Sequence, residues 1–315
     1  HNPRVLAPVA VVDIGSNSTR LLIAALTDGH ISELVRRSNV TRLGAGVDAG
    51  GRLADDAMRR VYDVLDGYRA EIAAHDCESA VAVLTSAVRD SANGDEFAAA
   101  IRDRYGLEPH VLSGDEEAQL TYLGATSERD PDDRTPTLVL DIGGGSTEMV
   151  IGEGAEMRFH VSTQAGVVRQ SERHIDHDPP TPRELDAVIR DVAAILADPV
   201  PAGERARVQR GIGVAGTATS LAAIAQSLDP YDPDRVEGYR VTRTECDDIL
   251  ARMSAMTLAQ RREVAGLHPD RAPTIIAGVL IFREVLRLFG LAEIEVSEHD
   301  ILLGAARKLT RDLDE

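Results

Sequence analysis

Two ten-residue stretches of the chain read almost alike, and few folds can accommodate both. Val11-Val-Asp-Ile-Gly-Ser-Asn-Ser-Thr-Arg20 returns as Val139-Leu-Asp-Ile-Gly-Gly-Gly-Ser-Thr-Glu148, with Asp13 and Asp141 separated by 128 positions (141 minus 13). In each, an apolar strand ends in an aspartate and leads into a turn of glycine, serine and threonine. Such a turn offers backbone N–H groups and hydroxyls to a phosphate, while the aspartate suits a divalent cation. A simple tight turn has no reason to repeat Asp, Gly, Ser and Thr in one register. The duplication therefore predicts two related halves, each with a phosphate cradle.

Length agrees with this division. A chain of 315 residues exceeds the size at which one core usually keeps growing. The polar, proline-bounded stretch Ser127–Pro136 is the expected connection, giving domains 1–126 and 127–300. A terminal helix within 301–315 is expected to pack back on the first. The formal net charge of -18 argues against nonspecific binding to nucleic acid or to an anionic membrane. It also requires arginines and a cation to reverse the field wherever a polyanion binds. Cys77 and Cys246 lack metal-ligand spacing and suit a reduced, cytoplasmic protein. No apolar run is long enough for a membrane span.

The order of elements is α/β. Val9–Val12 reads as a buried strand and Leu21–Leu26 as its hairpin partner, with Thr41–Gly46 a loop. Met58, Val61, Leu65, Tyr68 and Ile72 place an amphipathic helix over Asp55–Asp76. Val81–Leu84 is a strand delivering Thr85-Ser-Ala-Val-Arg-Asp90 at its carboxyl end, where open α/β sheets bind ligands. Phe97–Tyr105 is a helix and His110–Leu112 a strand. Pro182 opens a helix that buries Leu185, Val188 and Val192. Gly211–Ala215 is a strand ending in Gly216–Ser220; Ala272–Leu288 is a helix, Ile294–Val296 a strand and Ile301–Asp312 the last helix. Two α/β domains with an interdomain cleft follow from this duplicated order.

Several side chains are placed for chemistry. Asp13 and Asp141 stand at strand ends beside the turns. Glu148 closes the second hairpin where the first carries Arg20, so one half offers a carboxylate and the other a guanidinium. Ser113 and Glu116 form a capping box, which assigns Glu116 to the helix end. Its neighbour Glu117 points to another face and is the candidate for positioning an attacking water. Arg89 is the candidate for neutralising phosphate oxygens as charge develops on them, with Arg42 and Arg271 as weaker candidates. Three motifs are set aside. Gly211-Ile-Gly-Val-Ala-Gly216 spells a dinucleotide fingerprint without an evident βαβ unit. His174 and His177, with Asp176 and Asp178, fall in a polar loop, and the P-loop sequence is missing.

Asp13–Arg20, Thr85–Asp90, Ser113-Gly-Asp-Glu-Glu-Ala118, Asp141–Glu148 and Gly213-Val-Ala-Gly-Thr-Ala-Thr-Ser-Leu221 together resemble the exopolyphosphatase / guanosine pentaphosphate phosphohydrolase family. The likeness runs in order from near residue 9 to about 305. It implies duplicated ribonuclease-H-like domains, the fold of the actin-like ATPase superfamily. It implies Glu117 as the residue that activates water, with Arg89 opposite the phosphates. Asp141 and Glu148 would hold Mg²⁺ (or Mn²⁺), a metal for which Asp13 is also a candidate by its own place at a strand end. Gly15, Ser16, Asn17, Ser18, Thr19 and Arg20, then Gly143, Gly144, Gly145, Ser146 and Thr147, and then Gly216 and Thr217, would bind successive phosphates.

The implied reaction is release of terminal phosphate from inorganic polyphosphate, with guanosine pentaphosphate converted to tetraphosphate as the alternative. A sensor that binds guanosine penta- or tetraphosphate with little turnover is the alternative of another class. Longer relatives continue into a further helical domain, which makes short-chain polyphosphate the first expectation. Val296-Ser-Glu-His-Asp300 stands where many relatives carry Gly-Leu-Arg-Glu, so a substrate-contacting arginine is not expected there. A homodimer is the expected assembly.

Overall fold

The computed structural model describes residues 7–27, 30–130 and 132–314. Residues 1–6 and 315 of the expected domain ranges, and Pro131 of the expected connection, lie outside the described residues. The chain forms two compact units, one built from residues up to Gly124 together with Ile301 onward, the other from Ala125 to Asp300. The division falls inside the helix Gly114–Ala125, ahead of the polar connection.

In the first unit the apolar run of β1 (Val9–Ile14) is buried along its whole length and makes the middle of a five-stranded sheet. It pairs antiparallel with β2 (Ser18–Thr27), which pairs antiparallel with β3 (His30–Val40). On its other side β1 pairs parallel with β4 (Ser79–Leu84), and β4 with β5 (Glu108–Val111). Alternation along β1 splits the core between two faces. Ala10, Val12 and Ile14 pack with Leu65 and Tyr68 of the helix Asp55–Ala74, whereas Val9 and Val11 pack with Leu302 and Ala306 of the terminal helix Ile301–Asp314. That last helix lies close enough to Gly114–Ala125 that a Cβ on Gly304 would stand 1.8 Å from the Leu120 carbonyl oxygen.

The second unit repeats the arrangement. β6 (Thr137–Ile142), β7 (Thr147–Glu153) and β8 (Glu156–Thr163) form the antiparallel meander, and β9 (Arg210–Val214) runs parallel to β6. β10 (Arg240–Thr242) pairs antiparallel with β11 (Glu293–Val296), which lies parallel to β9. The two sheets therefore read β3-β2-β1-β4-β5 and β8-β7-β6-β9-β11, the latter with β10 added at its edge. A three-strand meander followed by parallel strands on the far side of the first strand is the ribonuclease-H-like topology, present twice.

Some elements differ from expectation. β3 and β8 are edge strands with few buried side chains, which hides the alternation that marks a strand. Thr85–Asp90 follows β4 at its carboxyl end, as expected, and within it Ser86–Arg89 is a turn of helix. Gly216–Ser220 is also helical, within Ala215–Gln226, so Gly216 and Thr217 sit in the first turn of a helix and not in a glycine-rich loop. A strand–helix unit does follow β9, yet Gly211 and Gly213 lie within that strand, packed against Ile294, and not at the turn a dinucleotide requires.

The capping box at Ser113 is present. The Ser113 N–H and hydroxyl reach Glu116 Oε2 at 2.8 and 2.9 Å, and the Glu116 N–H donates to Ser113 Oγ at 3.2 Å. These bonds favour the charged carboxylate and hold its pKa below the ordinary value. A depressed carboxylate contributes stability above its unfolded pKa and loses it as pH falls through the folded one. Glu116→Gln is therefore expected to lower stability at pH 7 and to cost little near pH 3, as read from urea denaturation at both values.

Candidate active site

Each duplicated turn is closed by one bond of its own. Gly15 N–H donates to Ser18 O at 2.9 Å, and Gly143 N–H to Ser146 O at 2.9 Å. Further turn carbonyls accept from the segment that follows the third strand of the unit. In the first unit Thr41 and Arg42 N–H donate to Asn17 O at 3.0 and 2.9 Å, and Gly44 N–H donates to Ser16 O at 2.8 Å. In the second, Val167 N–H donates to Gly143 O at 2.9 Å and Val168 N–H to Gly144 O at 2.8 Å. Among the described residues no carbonyl or side chain accepts from the N–H groups of Ser16, Asn17, Gly144 or Gly145. Oxygens pinned at the back and N–H groups left at the front make a nest for an anion.

The hydroxyls divide in a way the sequence does not reveal. Thr19 and Thr147, expected as phosphate ligands, are fully buried, and their hydroxyls join Thr41 Oγ1 at 2.9 Å and the Ala165 carbonyl. Thr217 donates to Ile142 O at 2.9 Å, tying its helix to the end of β6. These three hydroxyls hold the cradles to their supports. Ser16 Oγ lies 2.9 Å from Ser86 Oγ, so the Thr85–Asp90 segment is fastened to the first turn.

Strand register decides what the acidic residues face. Asp13 is paired with Arg20, and Asp141 with Glu148, at the same place in the two ladders. Directly opposed residues share one face of the sheet. In the first unit this gives an ion pair, with Arg20 Nε and Nη2 reaching Asp13 Oδ2 at 2.9 and 2.5 Å. Asp13, expected at the metal, and Arg20, expected among the phosphate ligands, thus meet in one hairpin. The Asp13 carboxylate spends an oxygen on its own hairpin, and the Arg20 guanidinium is turned toward that carboxylate. In the second unit two carboxylates, 9% and 3% exposed, face one another, and Ser162 Oγ donates to Glu148 Oε1 at 2.8 Å.

Like charges opposite each other in a ladder are unfavourable, and a divalent cation relieves the repulsion. Mg²⁺ keeps much of its water and needs only one or two carboxylates. Asp141 and Glu148 fit that requirement. Among the described residues no group of three or more His, Cys, Asp and Glu side chains forms a metal cage.

Glu117 lies in the first turn of Gly114–Ala125 and is 5% exposed. Arg89, at the end of the short helix after β4, donates through Nη1 to Glu117 Oε2 at 2.5 Å and to Leu112 O at 2.7 Å. The two residues expected to act separately are thus one ion pair, and the guanidinium fixes how the carboxylate faces. Arg42 takes a left-handed backbone conformation, with φ 51°, as its N–H supports the first turn. The Arg271 guanidinium lies directly on Gly216, where a Cβ would stand 2.0 Å from Nη1. His174 pairs with Asp191 at 3.0 Å and His177 with Glu184 at 2.8 Å. Sequence reasoning missed Ser86 and Ser162, and it missed Gly44, Gly166 and Arg169, which support the turns from neighbouring loops.

A twice-repeated ribonuclease-H-like unit, each copy with an N–H-lined turn beside strand-end carboxylates, defines an enzyme class that works on phosphate groups. The profile of the Ppx/GppA phosphatase family matches residues 22–304, and the chain belongs to that family. Exopolyphosphatase 2 of Mycobacterium tuberculosis is 37% identical over 96% of this chain and 99% of its own. The crystal structure of an exopolyphosphatase-like protein superposes with a TM-score of 0.93 at 34% identity, covering 98% of this chain and 99% of that one. The Aquifex aeolicus member of the Ppx/GppA family gives a TM-score of 0.82 at 29% identity, covering 99% and 100%.

The Asp13–Arg20 pair is nearly buried, with side chains 6% and 13% exposed. Arg20→Ala is expected to destabilise the protein by about 3–5 kcal/mol, because it strands a buried carboxylate. The double variant Asp13→Ala/Arg20→Ala should lose less than the sum of the single changes, measured by chemical denaturation in a double-mutant cycle.

Proposed function

We propose that this chain is an exopolyphosphatase, releasing terminal phosphate from inorganic polyphosphate by attack of water on the phosphoanhydride. The observation that carries the proposal is the double nest: two turns whose carbonyls are held away and whose N–H groups face outward. Family membership and the exopolyphosphatase relatives support it.

In this reading the N–H groups of Ser16, Asn17, Gly144 and Gly145 bind phosphate oxygens. Glu117, held by Arg89, orients the attacking water and accepts its proton as the oxygen–phosphorus bond forms. The shortened polyphosphate is the leaving group and keeps the electron pair of the broken anhydride bond on its former bridging oxygen. Asp141 and Glu148 would hold a Mg²⁺ or Mn²⁺ ion, whose charge offsets that of the substrate in a protein that is itself strongly acidic.

Phosphate release should be measured on tripolyphosphate, long-chain polyphosphate, guanosine pentaphosphate and ATP, each with Mg²⁺, with Mn²⁺ and with EDTA. Cation-dependent release from tripolyphosphate is the expected result. A clear preference for guanosine pentaphosphate would replace polyphosphate as the substrate, and binding of the nucleotide without turnover would make the protein a sensor. Glu117→Gln is expected to reduce kcat by at least about a hundredfold, with KM changed less than about tenfold, since orienting water acts on the transition state. An equal loss in both constants would assign Glu117 to holding the fold.

A further inference from the structure

The loop behind the second turn continues into the helix Val167–His174, which carries a side chain given no part in the reaction above. Arg169 donates from Nε to Gly145 O at 3.0 Å, and its own N–H donates to Gly144 O at 3.3 Å. Three successive carbonyls, those of Gly143, Gly144 and Gly145, are therefore held from one side. Only the third is held by a side chain. Gly166 brings the loop so near that a Cβ there would stand 2.3 Å from Gly144 O and Gly145 C.

A trans peptide group is planar, with its oxygen and hydrogen pointing in opposite directions. Holding the Gly145 oxygen at the back therefore aims the Ser146 N–H forward. Glycine at 145 places little restriction on rotation of that peptide. Once released, the group could turn a carbonyl oxygen toward the ligand and repel a phosphate. In the first unit the carbonyls of Ser16 and Asn17 are both held by backbone N–H groups, which survive side-chain substitution.

We infer that Arg169 is a positioning residue for phosphate, setting the affinity of the second cradle by fixing the orientation of the Gly145–Ser146 peptide. The inference rests on the reading of the turns as phosphate sites. Its test compares the parent chain with Arg169→Met, Arg169→Lys and, as a control one helical turn away, Arg173→Ala, whose guanidinium pairs with Asp191 at 3.7 Å. Steady-state kinetics on tripolyphosphate, inhibition by inorganic phosphate and thermal unfolding are recorded for each.

Arg169→Met is expected to raise KM and the inhibition constant of phosphate together by about tenfold or more, with kcat within about threefold. Its Tm should stay close to that of Arg173→Ala, and Arg169→Lys should recover most of the affinity. The inference is overturned if Arg169→Met keeps both constants within twofold of the parent, or if Arg169→Lys falls as far as Arg169→Met. If the parent releases nothing from tripolyphosphate, the exopolyphosphatase reading fails. Phosphate-induced stabilisation, expected in the parent and lost in Arg169→Met, then decides on Arg169 separately, and its persistence in the variant overturns the inference.

Discussion

The whole arrangement depends on where a few carbonyl oxygens point. A peptide group is as good an acceptor as it is a donor, so a bare turn has no inherent preference for anions. The preference comes from the loops after β3 and β8, whose N–H groups engage the turn oxygens of Ser16, Asn17, Gly143 and Gly144. This gives the third strand of each meander its purpose. Poorly buried at the sheet edge, it delivers a loop to the back of the turn, and the glycines at 44 and 166 permit the close approach.

Once both turns are set, the difference between the halves lies in one ladder position. The partner of the strand-end aspartate is arginine in one hairpin and glutamate in the other. The first pairing neutralises itself and stiffens the hairpin. The second places two carboxylates at the same ladder position. Duplication thus supplied two scaffolds of the same shape, and a change of sign at one site assigned them different electrostatic tasks. The ion pair of Arg89 with Glu117 adds a third local balance, close to the first turn through the Ser16–Ser86 contact.

Much of this was legible in the residues. The turns stood out because Asp, Gly, Ser and Thr recur in one register, and Glu116 because a capping box has a fixed spacing. The central strands were legible from their apolar runs. β3 and β8 were not, since an edge strand with one side in solvent carries mixed side chains such as Arg36, Arg37, Arg158 and His160. The supports of the turns were hidden for a different reason. They act mostly through backbone N–H groups, for which the residue type carries no signal. The fate of Asp13 needed the ladder register: an Asp and an Arg seven positions apart meet only if the turn between them is tight. The partners of the Thr19, Thr147 and Thr217 hydroxyls were hidden in the same manner, because a threonine in a glycine-rich motif looks identical whether its hydroxyl faces a ligand or a supporting segment.

The terminal helix belongs to the unit that the chain begins, while the other unit is continuous from Ala125 to Asp300. Val9, Val11 and Leu22 bury one face of the first sheet against Leu302 and Ala306, residues made well after them. During synthesis the early half therefore waits with an apolar face uncovered, while the later half already holds every part of its own core. Of these two units, the one begun earlier is the one sealed later, against the usual order of domain maturation.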